Sequence, residues 1–403
     1  MTVAIISEYN PFHTGHEYQI KAIREEFGAD TEIVAVMSGN FTQRGEVAVA
    51  DKYLRAKWAV LSGVNLVIEL PFPYSMSSAE IFARAAVKII DSLGVIDCIS
   101  FGSESGDIKA LEKIAENMQK SEYSTAFSML SSDSETKNLG YPALSELAYK
   151  KAFGSDAPFF KDSNDILAIE YIKSIKTLNS SLKLHTVKRY GAPYISKEFT
   201  PDAHQSAMSI RAALAANDMS FINSIPEEAR DSFLENLSKN EFPCDESKLS
   251  SALITHFRIN PRDDGKLIFD ARGGLYNRLK KASIEATDIE TLISNAETKK
   301  FTNARIRRAI WYSFFGVTSS DVKDLPRFSQ VLALDTKGRA LLKAIKRKSD
   351  FPLITKPSAV DSLDFCALEQ KKRLDVADSV FQLTKPKAVS GKDALRRTPF
   401  VKK

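Results

Sequence analysis

The chain has 403 residues, 56 Lys+Arg against 51 Asp+Glu, and a formal net charge of +5. With 43% hydrophobic and 27% charged residues it has the composition of a globular protein, which excludes a disordered chain or a collagen-like repeat; 3 cysteines exclude a disulfide scaffold. The charge is unevenly placed: residues 1–200 carry 21 Lys+Arg against 25 Asp+Glu (net −4) and residues 201–403 carry 35 against 26 (net +9), so a polyanionic partner is expected on the second half.

Val3–Ser7 is a short apolar run of buried-strand type, followed by a helical pattern over Gly15–Phe27 that Gly28 closes. A strand at Glu32–Met37, a helix at Val49–Leu61, a strand at Asn65–Leu70, a helix at Ser77–Leu93 and a strand at Ile96–Phe101 come next. Near-continuous apolar strands alternating with helices predict a parallel α/β sheet covered on both faces. Residues 105–180 read mostly as helices, Leu182–Lys188 as a last strand, and Gln205–Asn217 as a helix. Beyond 218 the pattern is mainly helical, with a basic helix at Lys300–Phe315 and two strand-like runs from Gln330 around a helix at Gly338–Lys348. The division expected is 1–217 for the sheet domain and 218–403 for a basic helical region, with a mobile Lys/Arg-rich tail at Lys385–Lys403.

Cys98, Cys244 and Cys366 show no metal-ligand spacing and suit a reducing, cytoplasmic setting. The start MTVAIISEYNPF lacks a basic n-region, and no apolar run approaches the ~20 residues of a membrane span, so no membrane partner is expected.

In parallel sheets ligands sit beyond the carboxyl ends of the strands, which points to the loops after Ser7, Met37, Leu70 and Phe101. The first of these reads Glu8-Tyr9-Asn10-Pro11-Phe12-His13-Thr14-Gly15-His16. Gly15 allows close backbone approach, and the helix that starts there aims free amide donors and the positive end of its dipole at a ligand. His13 and His16, three residues apart, can both donate to phosphate oxygens and stabilise charge on a departing pyrophosphate. The alternatives are a surface pair or two metal ligands. A metal would want a third ligand, and none is near in sequence, so no metal site is assigned.

Strand–(N-P-F-H-x-G-H)–helix resembles the HxGH signature of the Rossmann-like nucleotidyltransferase superfamily. Met37-Ser-Gly-Asn-Phe-Thr-Gln-Arg44-Gly, Asp51-Lys52, Leu66-Val-Ile-Glu-Leu-Pro71-Phe, Ser78-Ala-Glu80 and Phe101-Gly102-Ser103-Glu104 narrow this to a resemblance to the tRNA(Met) cytidine acetate ligase family. The resemblance implies an enzyme that forms N4-acetylcytidine at the wobble position of elongator tRNA(Met) from acetate and ATP, through an acetyl-adenylate, with Mg²⁺ on the triphosphate. It implies an ATP site built from Ser7, Glu8, Tyr9, Asn10, Pro11, Phe12, His13, Thr14, Gly15, His16, Gly102, Asn164, Arg189, Ser209 and Arg211, with His13 and His16 catalytic. Beside it stand the residues' own readings: Gly102 as room for adenine or ribose, or a turn glycine; Asn164 as an ATP contact, or a helix cap; Arg189 as a phosphate clamp, or a solvated surface arginine. Ser206-Ala-Met-Ser209-Ile-Arg211 resembles the superfamily's second phosphate motif at a helix start. Gln43 and Arg44 are candidates for the acceptor or acetate. The sequence departs from the family pattern at Thr14, at Ile195-Ser196, and at Tyr276 and Asn303.

Cations cluster with aromatics in the second half, and Arg278, Lys281, Arg305, Arg308, Lys346 and Arg347 are the expected tRNA contacts; a solvated helix face is the alternative for any one run. The sequence leaves two rival functions open. A small-molecule adenylyltransferase leaves the basic half without a purpose, and a non-catalytic RNA-binding protein leaves the histidine pair without one.

Overall fold

The structure, a computed structural model, describes residues 1–136, 139–189, 206–259 and 267–403. Ile195 and Ser196 lie outside the described residues, as does Gln205.

Five strands, β1 (Thr2–Ser7), β2 (Glu32–Ser38), β3 (Leu66–Leu70), β4 (Cys98–Ser103) and β5 (Lys183–Lys188), pair in parallel in the order β5-β4-β1-β2-β3. β1 therefore has β4 on one side and β2 on the other, the reversal of strand order that opens a ligand crevice at the carboxyl ends. Alternate residues bury on opposite faces. Ala4, Val34, Val36, Leu66 and Ile68 pack one way, beneath α3 (Ala79–Ser92), α4 (Ile108–Met118) and α7 (Ser163–Thr177); α5 (Ser121–Ser132) and α6 (Tyr141–Phe153) extend this layer. Val3, Ile5, Ile33, Ala35 and Met37 pack the other way, against α1 (Thr14–Phe27), α2 (Lys52–Leu61), α8 (Ala207–Ala215) and α9 (Glu227–Ser238). This is the α/β architecture expected, with helix α2 starting later than Val49 because Asp51 caps it through the Tyr53 N–H.

The chain beyond 217 is mainly helical: α10 (Ser250–Ile259), α11 (Leu275–Glu285), α12 (Ile289–Ala296), α13 (Asn303–Phe315) and α14 (Ser319–Lys323) share a second core with α16 (Phe365–Phe381). It also returns to the first sheet. β6 (Ser329–Leu334) pairs antiparallel with β3, and β7 (Leu353–Ile354) and β8 (Phe400–Val401) pair with β6. α15 (Thr336–Lys348) follows β6, and α17 (Gly391–Leu395) precedes β8.

The tail departs from expectation. Lys385 is 2% exposed, Arg397 pairs with Asp51 at 3.0 Å, and Lys402 donates to the Leu61 carbonyl. Three of its cations have partners, Lys385 on Glu241 just after α9 and Arg397 and Lys402 at the two ends of α2, so the tail is docked and not mobile. No helix among the described residues is long and apolar enough to cross a membrane.

Candidate active site

A cavity of about 340 Å³ opens beyond the carboxyl ends of β1, β2 and β4, as the strand order requires. Its floor is the segment from Ser7 to His16. Tyr9 takes a positive φ of 45°, a conformation that a bulky residue adopts only where its surroundings hold it. Those surroundings are explicit: the ring of Tyr9 packs edge-on against Phe12 and His16, the Asn10 side chain accepts from the Val49 N–H, and the Asn10 carbonyl accepts from Arg211.

His13 is the N-cap of α1 and His16 its third residue. His13 Nδ1 accepts from the Gly15 N–H at 3.0 Å, while His16 Nδ1 accepts from the His13 N–H at 3.2 Å. This is a capping box made of two imidazoles, a device usually built from Ser/Thr and Glu/Gln. An accepting Nδ1 carries no proton, so each neutral ring bears its proton on Nε2 and donates there. Burial, then His13, then Arg189 hold the His16 imidazole well below its ordinary proton affinity, so it is neutral at pH 7.

The cavity has two ends. On the β4 side lie Phe101, Gly102, the start of α7 and Arg189. Asn164 is not the cap of α7, a place held by Asp162; its Nδ2 donates to Glu104 Oε1 at 2.6 Å, which aims the amide along the cavity wall. A methyl group on Gly102 would meet Arg189 Cγ at 3.3 Å, so the glycine makes room for the arginine stem that crosses it. On the β2 side lie Gln43, Arg44, and Ala304 and Arg308 of α13. The Glu8 carboxyl sits between the two ends and accepts from the Gln43 N–H at 2.8 Å; burial raises its proton affinity against the opposing effects of that hydrogen bond and Arg211.

The expected residues therefore divide. Ser7, Glu8, Tyr9, Asn10, His13, His16, Gly102, Asn164 and Arg189 line the cavity. Pro11 and Phe12 are buried behind it, and Thr14 and Gly15 supply the first turn of α1. Ser209 and Arg211 are not in its wall. Ser206 caps α8 by accepting from the Ser209 N–H, and Arg211 is held by the Asn10 carbonyl and Glu46, so Ala207 is the α8 residue that reaches the cavity.

The expected RNA contacts divide as well. Lys281, Lys346 and Arg347 are exposed. Arg278 donates to the Ala296 carbonyl at the end of α12, and Arg305 to the Asp270 and Arg272 carbonyls. Arg308 pairs with Asp270 and enters the cavity. α15, with Lys346 and Arg347, lies at the far end of the sheet: Asp335 before it bonds Asn65 ahead of β3, and Ser349 after it bonds the Ser92 carbonyl ahead of β4.

Sequence reading overlooked the support beneath the site. Arg55, fully buried, donates to the carbonyls of Glu8, Ser38, Gly39 and Ala50, tying the exits of β1 and β2 together. Next to it Lys52 is clasped by Glu69 at 2.7 Å and Asp378 at 2.6 Å, and Asn40 donates to Asp378. Asn40, Lys52 and Glu69 fall in three separate sequence motifs that do not reveal their contact, and Asp378, 326 residues away from Lys52, has no local signal.

A model of the HIGH nucleotidyl transferase family matches residues 1–394. The chain is similar to the tRNA(Met) cytidine acetate ligase of Thermoanaerobacter sp. (strain X514), 37% identical over 365 residues and covering 88% of each chain. It is similar to that of Thermosipho africanus, 35% identical over 378 residues, covering 92% of this chain and 88% of the relative. Among solved structures it superposes on Thermotoga maritima TmcAL without ligand (TM-score 0.91) and bound with alpha-thio ATP (TM-score 0.87), each 28% identical over 99% of both chains.

Proposed function

This chain belongs to the tRNA(Met) cytidine acetate ligase family, within the HIGH nucleotidyl transferases, and we propose that it joins acetate to a tRNA(Met) cytidine in two steps that consume one ATP. The observation that carries the reading is the paired Nε2 donors of His13 and His16 at the start of α1, inside a cavity whose other walls hold Asn164 and Arg189. ATP lies with its nucleoside toward Gly102 and Asn164 and its phosphates across the histidines. In the first step an acetate oxygen attacks the α-phosphorus in line, the bond to the bridging oxygen breaks, and pyrophosphate leaves. The two imidazoles stabilise the charge gathering on the departing oxygens, and because they are neutral they donate without adding to the positive charge beside Arg189. In the second step the exocyclic amine of cytidine attacks the acetyl carbon, and AMP departs with the electron pair of the broken C–O bond. An anticodon loop base is already unpaired and can enter such a cavity.

No group of three or more His, Cys, Asp and Glu side chains is placed to hold a metal among the described residues. A Mg²⁺ that arrives on the triphosphate needs only one or two carboxylates. Glu8, the carboxylate in the cavity wall, fits that need. When bound, the ion neutralises phosphate charge.

The exposed cations Lys281, Lys346 and Arg347 belong to the half with net positive charge and are proposed to meet tRNA phosphates. The test of the whole reading is acetate-dependent exchange of pyrophosphate into ATP, with mass spectrometry of tRNA nucleosides. Exchange only with acetate, and N4-acetylcytidine formed on tRNA(Met), are the expected results. Exchange indifferent to acetate sinks the reading in favour of a different adenylyl acceptor.

A further inference from the structure

Arg308 was expected on an RNA-facing surface, and the fold puts it elsewhere. α13 packs across the loop after β2 so closely that a methyl group on Gly45 would stand 2.6 Å from the Arg308 backbone nitrogen. Gly45 has φ +78° and no side chain, which is what allows the helix to seal that end of the cavity. The Arg308 side chain is 12% exposed, its Nε donates to Asp270 Oδ2 at 2.7 Å and its Nη1 to the Gln43 carbonyl at 3.4 Å. Among the described residues its Nη2 has no hydrogen-bond partner, and Arg308 lines the cavity beside Gln43 and Arg44.

The position selects a ligand. With the nucleoside on the β4 side of β1, as proposed above, the β2 side is left for the second reactant of the first step. Arg308 is fixed at two of its three nitrogens, which leaves one short, directed donor edge for a small anion.

We propose that Arg308, from the basic half of the chain, holds the acetate carboxylate for attack on the α-phosphorus; this rests on the function proposed above. Nη2 donates to one carboxylate oxygen, and the other oxygen forms the bond to phosphorus as the bond to pyrophosphate breaks. A charge-assisted hydrogen bond of this kind supplies roughly 10–100-fold in affinity. Asp270 orients the guanidinium and does not touch substrate.

Pyrophosphate exchange without RNA tests this, with acetate titrated at saturating ATP and ATP titrated at saturating acetate, for the wild type, R308K and R308Q. The expected result is an acetate KM raised about 10–100-fold in R308Q and by a smaller factor in R308K, with the ATP KM within about threefold of wild type. R308K retains a cation beside Asp270, so it must raise the acetate KM even if R308Q fails to fold. An unchanged acetate KM, or acetate and ATP KM values rising together, overturns the proposal. So does a rise confined to the tRNA KM in the complete reaction, which would make Arg308 an RNA contact. A wild type without acetate-dependent exchange removes the underlying reading as well, and is recognised before any variant is compared.

Discussion

The rings of His13 and His16 lie with centroids 3.8 Å apart, and each gives its Nδ1 lone pair to a backbone N–H of the same helical turn. Helix capping therefore uses one nitrogen of each ring and leaves the opposite one for the phosphate contacts of the proposed mechanism. The cap fixes the tautomer, and the tautomer puts both ring protons on Nε2, the donors that the proposed mechanism uses.

That division separates two variants. His13→Asn keeps an N-cap acceptor and loses the Nε2 donor, so its stability should stay within about 1 kcal/mol of wild type while exchange falls by about 100-fold or more. His13→Ala should lose the same activity and a further ~1 kcal/mol of stability. Thermal melting beside exchange rates checks both; a fully active His13→Asn would remove the histidine from the mechanism.

The lowered proton affinity of His16 has a pH consequence with a definite sign. Its ordinary pKa is 6.5, and in the folded chain burial, His13 and Arg189 push it well below that value. Below about pH 6.5 the unfolded chain binds a proton that the folded chain refuses, so stability present at neutral pH is lost as the pH falls. His16→Asn should show a shallower loss of melting temperature between pH 7.5 and 5.5 than wild type. Parallel curves would show that His16 is not the group responsible.

Lys52, Glu69 and Asp378 place two carboxylates on one ammonium, all buried. Burial raises the proton affinity of both acids, and the two acids in turn keep Lys52 charged despite its own burial. Lys52→Met strands both carboxylates and should cost about 3–5 kcal/mol near neutral pH. Glu69→Gln leaves a one-to-one pair with Asp378 and should cost much less. Since a raised carboxyl value makes stability fall as pH rises from the ordinary value toward the raised one, from 4.5 to about 7 for Glu69, Glu69→Gln should also flatten that loss. Denaturant melts at pH 6 and pH 8 distinguish these outcomes, and an inert Lys52→Met would show the cluster to be dispensable.

Removal of residues 397–403 takes away β8 and the Arg397–Asp51 and Lys402–Leu61 contacts. It should lower stability by roughly 2 kcal/mol, given the half-buried Phe400 and Val401 that pack on β6 and α2. An unchanged melting temperature would restore the reading of this tail as a loose appendage.

What the sequence determined by itself is what local pattern encodes. Uninterrupted apolar strands alternating with helices specify a parallel sheet with its ligand crevice at the carboxyl ends of the strands, while the strand order that reverses at β1 comes from the structure. The Glu8–His16 loop could be read because a helix N-terminus is a local object: its donors, its dipole and its two imidazoles lie within nine consecutive residues. Gly102, Asn164 and Arg189 could be found as separate motifs, but only the packing of β4, α7 and β5 brings them to one wall. Charge clustering was the weaker guide. It points to Arg278, Arg305 and Arg308 as tRNA contacts, whereas folding turns the first two onto backbone carbonyls and the third into the cavity. The tertiary structure alone decided that α13 closes the site, that Asp378 completes the charge cluster under it, and that the tail is docked. Each of these joins residues hundreds of positions apart, and chain separation on that scale leaves no periodic or motif signal to read.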